Sequence, residues 1–303
     1  MQPLLTIDLT TGLSGKYNVP IAWEEQYLGG ASLAARLLYD QLNPSLEPLS
    51  PRAPLLFLTG PLTGTAGPAV GRFVVCARSP ATYLWGESNC GGFWGVELRK
   101  AGFDGVWITG RSSHPVYIWI HDGEVEIRDA TQLWGRDPYQ CQAVLKETLN
   151  QGKISVASIG VAGESLIPYS LILTDHGRVA GRTGMGAVMG SKNLKAIAVH
   201  GRGVINVADE QKYGVLRSEA NRALRADPVT RVANELGTAG VTDYVDYLGS
   251  MPKRYYQSGV MDGVDNVSGS TMAETILVGK SACHGCVIAC GRVVQLDGSR
   301  RQD

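Results

Sequence analysis

The sequence predicts an α+β fold in two parts. Over residues 1–206, short apolar strand patterns alternate with helical patterns and Gly-rich turns, as in a domain that mixes sheets with helices. Two stretches of this part resemble each other, which predicts an internal duplication. Over residues 207–303 the chain becomes polar with helical spacing, which predicts the start of an all-helical domain.

The individual elements follow from local patterns. Apolar runs bounded by turn residues predict strands at 4–9, 55–59, 72–78, 106–109, 116–121 and 155–159. Apolar residues at helical spacing predict helices at 23–42, 138–150, 209–227 and 230–248, the last interrupted by glycines at 237 and 240. The Asp122-Gly123 pair predicts a two-residue hairpin turn after the strand at 116–121.

The duplication is visible in two matching segments. The sequence GGFWG at 91–95 matches GAVMG at 186–190, and Lys-Ala follows each at the same distance, at Lys100 and Lys195. Each copy then continues into an apolar strand that ends in Gly-Arg. A duplicated α+β unit explains this pattern, and it predicts two similar Gly-rich helix N-termini at related positions.

Composition excludes several classes of function. Of 303 residues, 44% are hydrophobic and 18% are charged, as in ordinary globular proteins. Lys+Arg and Asp+Glu both total 28, so the net charge is zero and nothing indicates a nucleic-acid partner or an anionic membrane surface. No apolar run approaches the roughly 20 residues of a spanning helix, and the N-terminus lacks a signal-peptide pattern. We therefore expect a cytoplasmic protein.

A run of cysteines lies near the end of the chain, with the spacing C-x2-C-x3-C, at Cys283, Cys286 and Cys290. Three thiolates this close can hold one metal centre, and the spacing favours a [4Fe–4S] cluster with a fourth ligand from elsewhere. Zinc with His284 as a ligand, or a buried hairpin with spare thiols, are the alternatives. We expect the scattered cysteines to be buried small residues: Cys76, Cys90 and Cys141. Neither His176 nor His284 receives a catalytic role.

A Gly-rich loop at 175–186 precedes the helix of the second copy and contains Arg178 and Arg182. Helix N-termini and Arg side chains both bind phosphate, and the first copy offers Arg72 and Asn89 at related positions. Two such sites would suit a redox cofactor with two phosphate-bearing halves, next to a cluster. The loop is neither a Walker loop nor a clean G-x-G-x-x-G motif. Alternatively, the glycines serve only tight turns and close packing.

These motifs together identify a family resemblance that covers nearly the whole chain. The sequence resembles the N-terminal half of the aldehyde ferredoxin oxidoreductases, which are tungsten- or molybdenum-pterin enzymes. Its most specific matches lie at residues 59–64, 91–95, 180–196 and 283–290. Further matches at 236–240, 248–252 and 256–259 are similar to the aldehyde-oxidising branch.

The resemblance implies that the duplicated domain forms the base of a bis-pterin site. Arg72, Asn89 and Gly91 would contact one part of the cofactor, with Arg72 between pterin and cluster. A second set would contact another part: Arg178, Val179 and Gly181. The three clustered cysteines would hold three irons of a [4Fe–4S] cluster. The implied reaction oxidises an aldehyde to a carboxylate at tungsten or molybdenum, and the electrons pass through the cluster to ferredoxin.

The sequence departs from the family in length. Family members continue into Asp-x-x-Gly-Leu motifs, a fourth cluster cysteine and a substrate pocket, none of which is present here. We therefore expect an N-terminal fragment that is inactive by itself. A family member acting on another carbonyl or an acyl thioester, a non-enzymatic cluster- or zinc-binding module, and a broken gene product remain alternatives. The aldehyde, the choice of metal and a homo-oligomeric state are left open.

Overall fold

The computed structural model describes residues 1–175 and 177–302, so His176 and Asp303 lie outside the described residues. The chain divides into two compact units. The first contains Met1–Thr65 and Val70–Asn206, and the second contains Ala66–Ala69 and Val207–Asp303.

The first unit contains strands and helices in alternation. Its strands are β1 (Leu4–Asp8), β2 (Leu13–Tyr17), β3 (Leu55–Thr59), β4 (Phe73–Arg78), β5 (Trp85–Cys90), β6 (Gly105–Thr109), β7 (Val116–His121), β8 (Glu124–Asp129), β9 (Ser155–Ser158), β10 (Ile172–Thr174), β11 (Arg178–Ala180) and β12 (Leu194–His200). Its helices are α1 (Ile21–Tyr27), α2 (Gly30–Gln41), α3 (Trp94–Lys100), α4 (Pro138–Leu149), α5 (Val161–Glu164) and α6 (Met185–Gly190).

The described strands of the first unit form two six-stranded sheets with the same topology. The first sheet has the order β2-β1-β6-β3-β4-β5, and the second, written from the opposite edge, has the order β8-β7-β12-β9-β10-β11. In each sheet the second and third strands of that order pair in parallel and every other pair is antiparallel. Each copy therefore repeats the other strand for strand, which confirms the α+β class and the duplication.

The core between the two sheets also contains α3 and α6. Each of these short helices contacts strands of the other copy, α3 meeting β9 and β12, and α6 meeting β3 and β4. Trp94 of α3 is fully buried, and its indole Nε1 donates to the carbonyl of Ile197 in β12 at 3.0 Å. One apolar cluster consequently draws side chains from both sheets and both helices, so the two copies share a single interior.

Two longer helices cover the outer faces of the sheets. Helix α2 packs Leu33, Leu37 and Leu38 against the first sheet, and α4 packs Cys141 and Leu145 against the second. The start of α4 is capped by Asp137, whose carboxylate accepts from the Gln140 N–H at 2.9 Å, with proline in the first helical turn. The helix predicted at 138–150 is thus confirmed, and so is the hairpin turn between β7 and β8.

The helix predicted over 23–42 is wrong as a single element, because the chain breaks between α1 and α2. Leu28 and Gly29 have positive φ of 60° and 132°, which no helix allows. A Cβ at Gly29 would lie 3.1 Å from the Thr59 carbonyl oxygen, so glycine permits the close approach of this turn to the end of β3. The short strands β2, β5, β10 and β11 were not predicted.

The second unit begins with helices and ends in a sheet. It contains α7 (Glu210–Ala226), α8 (Pro228–Leu236), α9 (Thr242–Tyr247), α10 (Gly269–Thr275), β13 (Leu277–Ser281), β14 (Gly291–Leu296) and β15 (Ser299–Gln302). The expectation of an all-helical domain therefore needs a correction, since β13, β14 and β15 form an antiparallel sheet, with a register shift between Leu277 and Gly279. Val278, Val293 and Val294 supply β-branched residues to these strands. Across the described residues, no helix has the length and apolar character needed to cross a bilayer.

Candidate cofactor site and cluster loop

The candidate cofactor residues of the two copies meet at one edge of the first unit. Strand β5 and strand β11 each form the edge of their own sheet, and they pack against each other. The loop after β11 is tied to β5 by the Arg182 N–H, which donates to Ser88 Oγ at 3.1 Å, and by Thr183 Oγ1, which donates to the Glu87 carbonyl at 3.3 Å. The topology thus brings together two sets of residues that are far apart in sequence.

The first set is organised by a contact between Arg72 and Asn89. Arg72 Nε donates to Asn89 Oδ1, and its Nη2 donates to the Asn89 carbonyl at 3.3 Å. Both side chains are exposed, and Asn89 lies on the outward face of β5, where exposed and buried residues alternate. Within the described residues the third guanidinium nitrogen, Nη1, donates no hydrogen bond, so one cationic donor group is available to an anionic ligand.

The second set touches the first at the Gly91-Gly92 turn. Gly92 has φ of +97°, and a Cβ there would lie 2.5 Å from Asp175 Oδ2 and 3.2 Å from Arg178 Cγ. Only glycine fits this crossing, which places the half-buried Arg178 against Gly92, the residue after the buried Gly91. Val179, in the middle of β11, and Gly181, just beyond its end, are both exposed. The structure thereby places the turn that directly follows Asn89 against Arg178.

Protein groups occupy the N-terminus of α3, where a ligand anion was expected, and one donor at the start of α6. At the start of α3, the carboxylate of Asp175 already accepts from the N–H groups of Phe93 and Trp94, at 2.6 Å and 3.2 Å. In α6, the Gly186 N–H donates to the Ser170 carbonyl at 3.1 Å. Protein groups therefore satisfy these donors, and the positive charge at this edge comes from arginine side chains. The role of Asp175 was missed, although its place at the head of the Gly-rich loop is a signal.

The three clustered cysteines lie in one loop, residues 282–290, which joins β13 to β14 and is called the cluster loop below. Cys283 and Cys286 are half-buried and Cys290 is exposed, and all three are free thiols. The Cys286 N–H donates to the Cys283 carbonyl at 3.2 Å, which closes a turn around Gly285 with its φ of +65°. Among the described residues, no group of three or more His, Cys, Asp or Glu side chains has metal-holding geometry.

The cluster loop therefore contains three thiols of suitable chemistry, although in the described structure their side chains do not form a metal-holding group. Three thiols in one short loop match the ligand chemistry of an iron–sulfur cluster, and the cluster itself stays a prediction. Two side chains that sequence analysis missed, Asn234 and Arg292, hold the loop by donating to its Ile288 and Ala289 carbonyls. The scattered cysteines Cys76, Cys90 and Cys141 are all buried, as predicted.

Comparison with known proteins finds models of one protein family along both parts of the chain. A model of the aldehyde ferredoxin oxidoreductase N-terminal domain matches residues 4–201, and a model of domains 2 and 3 of the same family matches residues 215–303. The tungsten-containing aldehyde ferredoxin oxidoreductase of Pyrococcus furiosus is 40% identical over 295 residues, covering 96% of this chain and 48% of the relative. The enzyme of that name from Thermococcus kodakarensis is also 40% identical, with the same coverage.

More distant relatives carry other names. The WOR-like subunit of an aliphatic sulfonate oxidoreductase from Pyrococcus furiosus is 32% identical, covering 97% of this chain and 49% of the relative. Among solved structures, the active-site complex BamBC of benzoyl coenzyme A reductase, bound to 1,5-dienoyl-CoA, superposes with a TM-score of 0.86 at 29% identity. That match covers 100% of this chain and 48% of the other.

This chain thus spans about half the length of the curated relatives it matches. Both of its units fall under models of one oxidoreductase family, and nearly all of its residues align with members of that family. The chain belongs to the aldehyde ferredoxin oxidoreductase family.

Proposed function

We propose that the protein to which this chain belongs oxidises an aldehyde to a carboxylate. In the balanced reaction, an aldehyde and a water molecule give a carboxylic acid, two protons and two electrons. The electrons leave one at a time through a [4Fe–4S] cluster to a ferredoxin. The observation that carries the proposal is the packing of β5 against β11, which brings the Arg72–Asn89 pair and the Gly91-Gly92 turn to the same edge as Arg178. The family resemblance predicts that this edge contacts a bis-pterin cofactor.

The residues present fit such a cofactor in charge and shape. A phosphate-bearing pterin needs cationic donors, and Arg72 offers an Nη1 group that no described residue occupies. Gly181 is exposed and leaves the backbone beside the crossing approachable, whereas Gly91 is buried. A tungsten-bis-pterin would supply the two-electron redox centre, while the protein residues bind and orient it. Cys283, Cys286 and Cys290 would hold three irons of the cluster.

Aldehyde as the substrate class follows from the relatives. Identity is 40% to the tungsten-containing aldehyde ferredoxin oxidoreductase of Pyrococcus furiosus, against 32% to the sulfonate oxidoreductase subunit. Tungsten and ferredoxin are proposed on the same ground. A cytoplasmic location is proposed because all six cysteines are free thiols, which suits a reducing compartment.

A second candidate function is reduction of an aromatic acyl thioester. It is favoured by the superposition on the benzoyl coenzyme A reductase complex, with a TM-score of 0.86. Its lower identity of 29% places it behind aldehyde oxidation. An assay with both substrate classes separates the two candidates.

The test uses protein expressed from the longest open reading frame that contains this chain and purified without oxygen. Tungsten and molybdenum are measured by mass spectrometry, and activity is measured as aldehyde-dependent reduction of a viologen dye. We expect bound tungsten, activity with aldehydes, and loss of both tungsten and activity in Arg72→Gln. The matched control Arg52→Gln removes the same charge from another exposed position and should change neither. Protein that contains neither metal would overturn the proposal.

A further inference from the structure

The cluster loop is held by its carbonyl groups rather than by its cysteines. Asn234, near the end of α8, donates from Nδ2 to the Ile288 carbonyl at 2.8 Å and to the Val287 carbonyl at 3.4 Å. Lys280 Nζ in turn donates to Asn234 Oδ1 at 2.5 Å, which fixes the orientation of the amide. One side chain thus anchors two successive peptide units of the loop.

Arg292 anchors the next peptide unit and joins it to the same helix end. Its Nη2 donates to the Ala289 carbonyl, and its Nη1 donates to the carbonyls of Asn234 and Glu235 at 3.0 Å and 2.6 Å. These are terminal carbonyls of α8, where a cation is favourable. The residue is only 5% exposed, so its position is set by packing as well as by hydrogen bonds.

Gly237 allows the helix end to approach this closely. Its φ is +68°, and a Cβ there would lie 2.7 Å from the Cys290 carbonyl oxygen and 3.1 Å from Arg292 Nε. The end of α8 therefore lies directly against the last cysteine of the loop.

This anchoring determines where the N–H groups of the loop point. In a planar trans peptide the C=O and N–H bonds are antiparallel, so three carbonyls facing α8 direct the N–H groups of Ile288, Ala289 and Cys290 the other way. None of these three N–H groups donates a hydrogen bond to any described residue. Ala289 has a left-handed φ of +49°, the conformation that lets successive N–H groups form an anion-binding nest.

We propose that Asn234 and Arg292 are positioning residues, which shape the cluster loop so that three of its N–H groups donate to cluster sulfur. Hydrogen bonds to sulfur and nearby positive charge both raise the reduction potential of an iron–sulfur cluster. The two side chains therefore set that potential and help to retain the cluster. The inference rests on the cluster assignment in the proposed function and adds residues outside the cysteine motif.

The test uses protein expressed from the longest open reading frame that contains this chain, and it compares the wild type with four variants after anaerobic reconstitution with iron and sulfide. Asn234→Leu removes the amide without adding charge, and Arg292→Gln removes the cation. Arg292→Lys keeps the charge but loses the several N–H donors of the guanidinium group. Arg225→Gln, in α7, is the matched loss of an arginine that makes no hydrogen bond to the loop. Iron and sulfide per chain, the electron paramagnetic resonance spectrum and the midpoint potential are measured, with circular dichroism as a check on folding.

We expect Asn234→Leu and Arg292→Gln to lower the midpoint potential and to weaken cluster retention by about 10-fold, as for other residues that support metal ligands. Arg292→Lys should show a smaller decrease of both, and Arg225→Gln should match wild type. The proposal is overturned if Asn234→Leu and Arg292→Lys both keep the wild-type potential and iron content, since charge alone would then explain the effect of Arg292. Wild-type protein from that reading frame that binds no iron would instead refute the cluster assignment itself, before any variant is compared.

Discussion

Asp175 accepts a hydrogen bond of 2.6 Å from the N–H of Phe93, a residue 82 positions earlier in the chain. The same carboxylate oxygen accepts from Trp94, and the other accepts from the Ser155 hydroxyl. A side chain of the second copy therefore caps a helix of the first, at the point where the candidate cofactor residues of both copies meet.

Replacement of Asp175 should destabilise the first unit. Asp175→Ala leaves two N–H groups at the start of α3 without a partner, and loss of such a cap costs about 1–2 kcal/mol. All six tryptophans precede residue 207, so tryptophan fluorescence during urea unfolding follows the first unit selectively. Asp175→Asn keeps one acceptor oxygen and should lose less. Ser155→Ala, which removes only the third contact, is the control. Equal midpoints for Asp175→Ala and wild type would contradict the capping role.

A methyl group at Gly190 should be strongly destabilising. Helices α5 and α6 pack closely, and a Cβ at Gly190 would lie 2.0 Å from the Gly163 carbonyl oxygen. That oxygen belongs to the backbone, so it cannot move away as a flexible side chain could. Gly190→Ala should therefore lower the free energy of unfolding by about 3 kcal/mol, the upper part of the range for overpacking. The control is Gly60→Ala, whose Cβ would meet nothing closer than 3.9 Å and should change stability by less than about 0.5 kcal/mol. Similar losses in both variants would show that the contact is not tight.

Lys192 should make stability depend on pH. Burial, and secondarily the charge of Arg111, lower the pKa of Lys192 to about 7, although its Nζ donates to the Ala53 carbonyl at 2.6 Å. The unfolded lysine has a pKa of about 10.4. Between these values the unfolded chain holds a proton that the native chain has released, so native stability rises with pH in that window. The urea midpoint of wild type should therefore rise relative to that of Lys192→Met between about pH 7 and pH 10. A constant difference would mean that native Lys192 stays charged.

Alkylation should separate the two classes of cysteine. Burial raises the pKa of the Cys141 thiol to about 11 and also raises that of Cys76, and Cys90 is 1% exposed. Because the thiolate is the reactive form, iodoacetamide should modify only the three cysteines of the cluster loop in the native, metal-free protein. Mass spectrometry of peptides would locate the label, and denatured protein should be labelled at all six cysteines. Native modification of Cys141 would contradict this packing.

Much of the fold is predictable because the duplication imposes it. The match of 91–95 with 186–190 predicts a repeated unit, and both sheets follow the same strand order. The short strands β10 and β11 have three residues each, too few to show a period. The break between α1 and α2 depends on a close approach to Thr59, which lies outside the local pattern, although Gly29-Gly30 hints at it.

The candidate site likewise has residues that the sequence predicts and residues that it does not. Motifs predict Arg72, Asn89 and Arg178 as cofactor-binding residues, because the residue types needed to bind a phosphate-bearing cofactor are themselves informative. The residues that hold the site in shape cannot be recognised in the sequence from their residue type. Asp175 meets Phe93, and Asn234 meets Ile288, only after residues 82 and 54 positions apart are brought together. The expectation for the N-terminus of α3 failed for this reason, since the distant carboxylate of Asp175 already accepts from its N–H groups.

The contacts that α3 and α6 make with strands of the other copy have a consequence for synthesis on the ribosome. When only residues 1–110 have emerged, the face of α3 that will meet β9 and β12 has nothing to cover it, and Trp94 lacks the Ile197 carbonyl. The nascent chain must therefore wait for β12, which ends at His200, before its interior can close. Exposed apolar surface during that wait favours aggregation, so a translation product that stops after the first copy would be a substrate for chaperones and proteases.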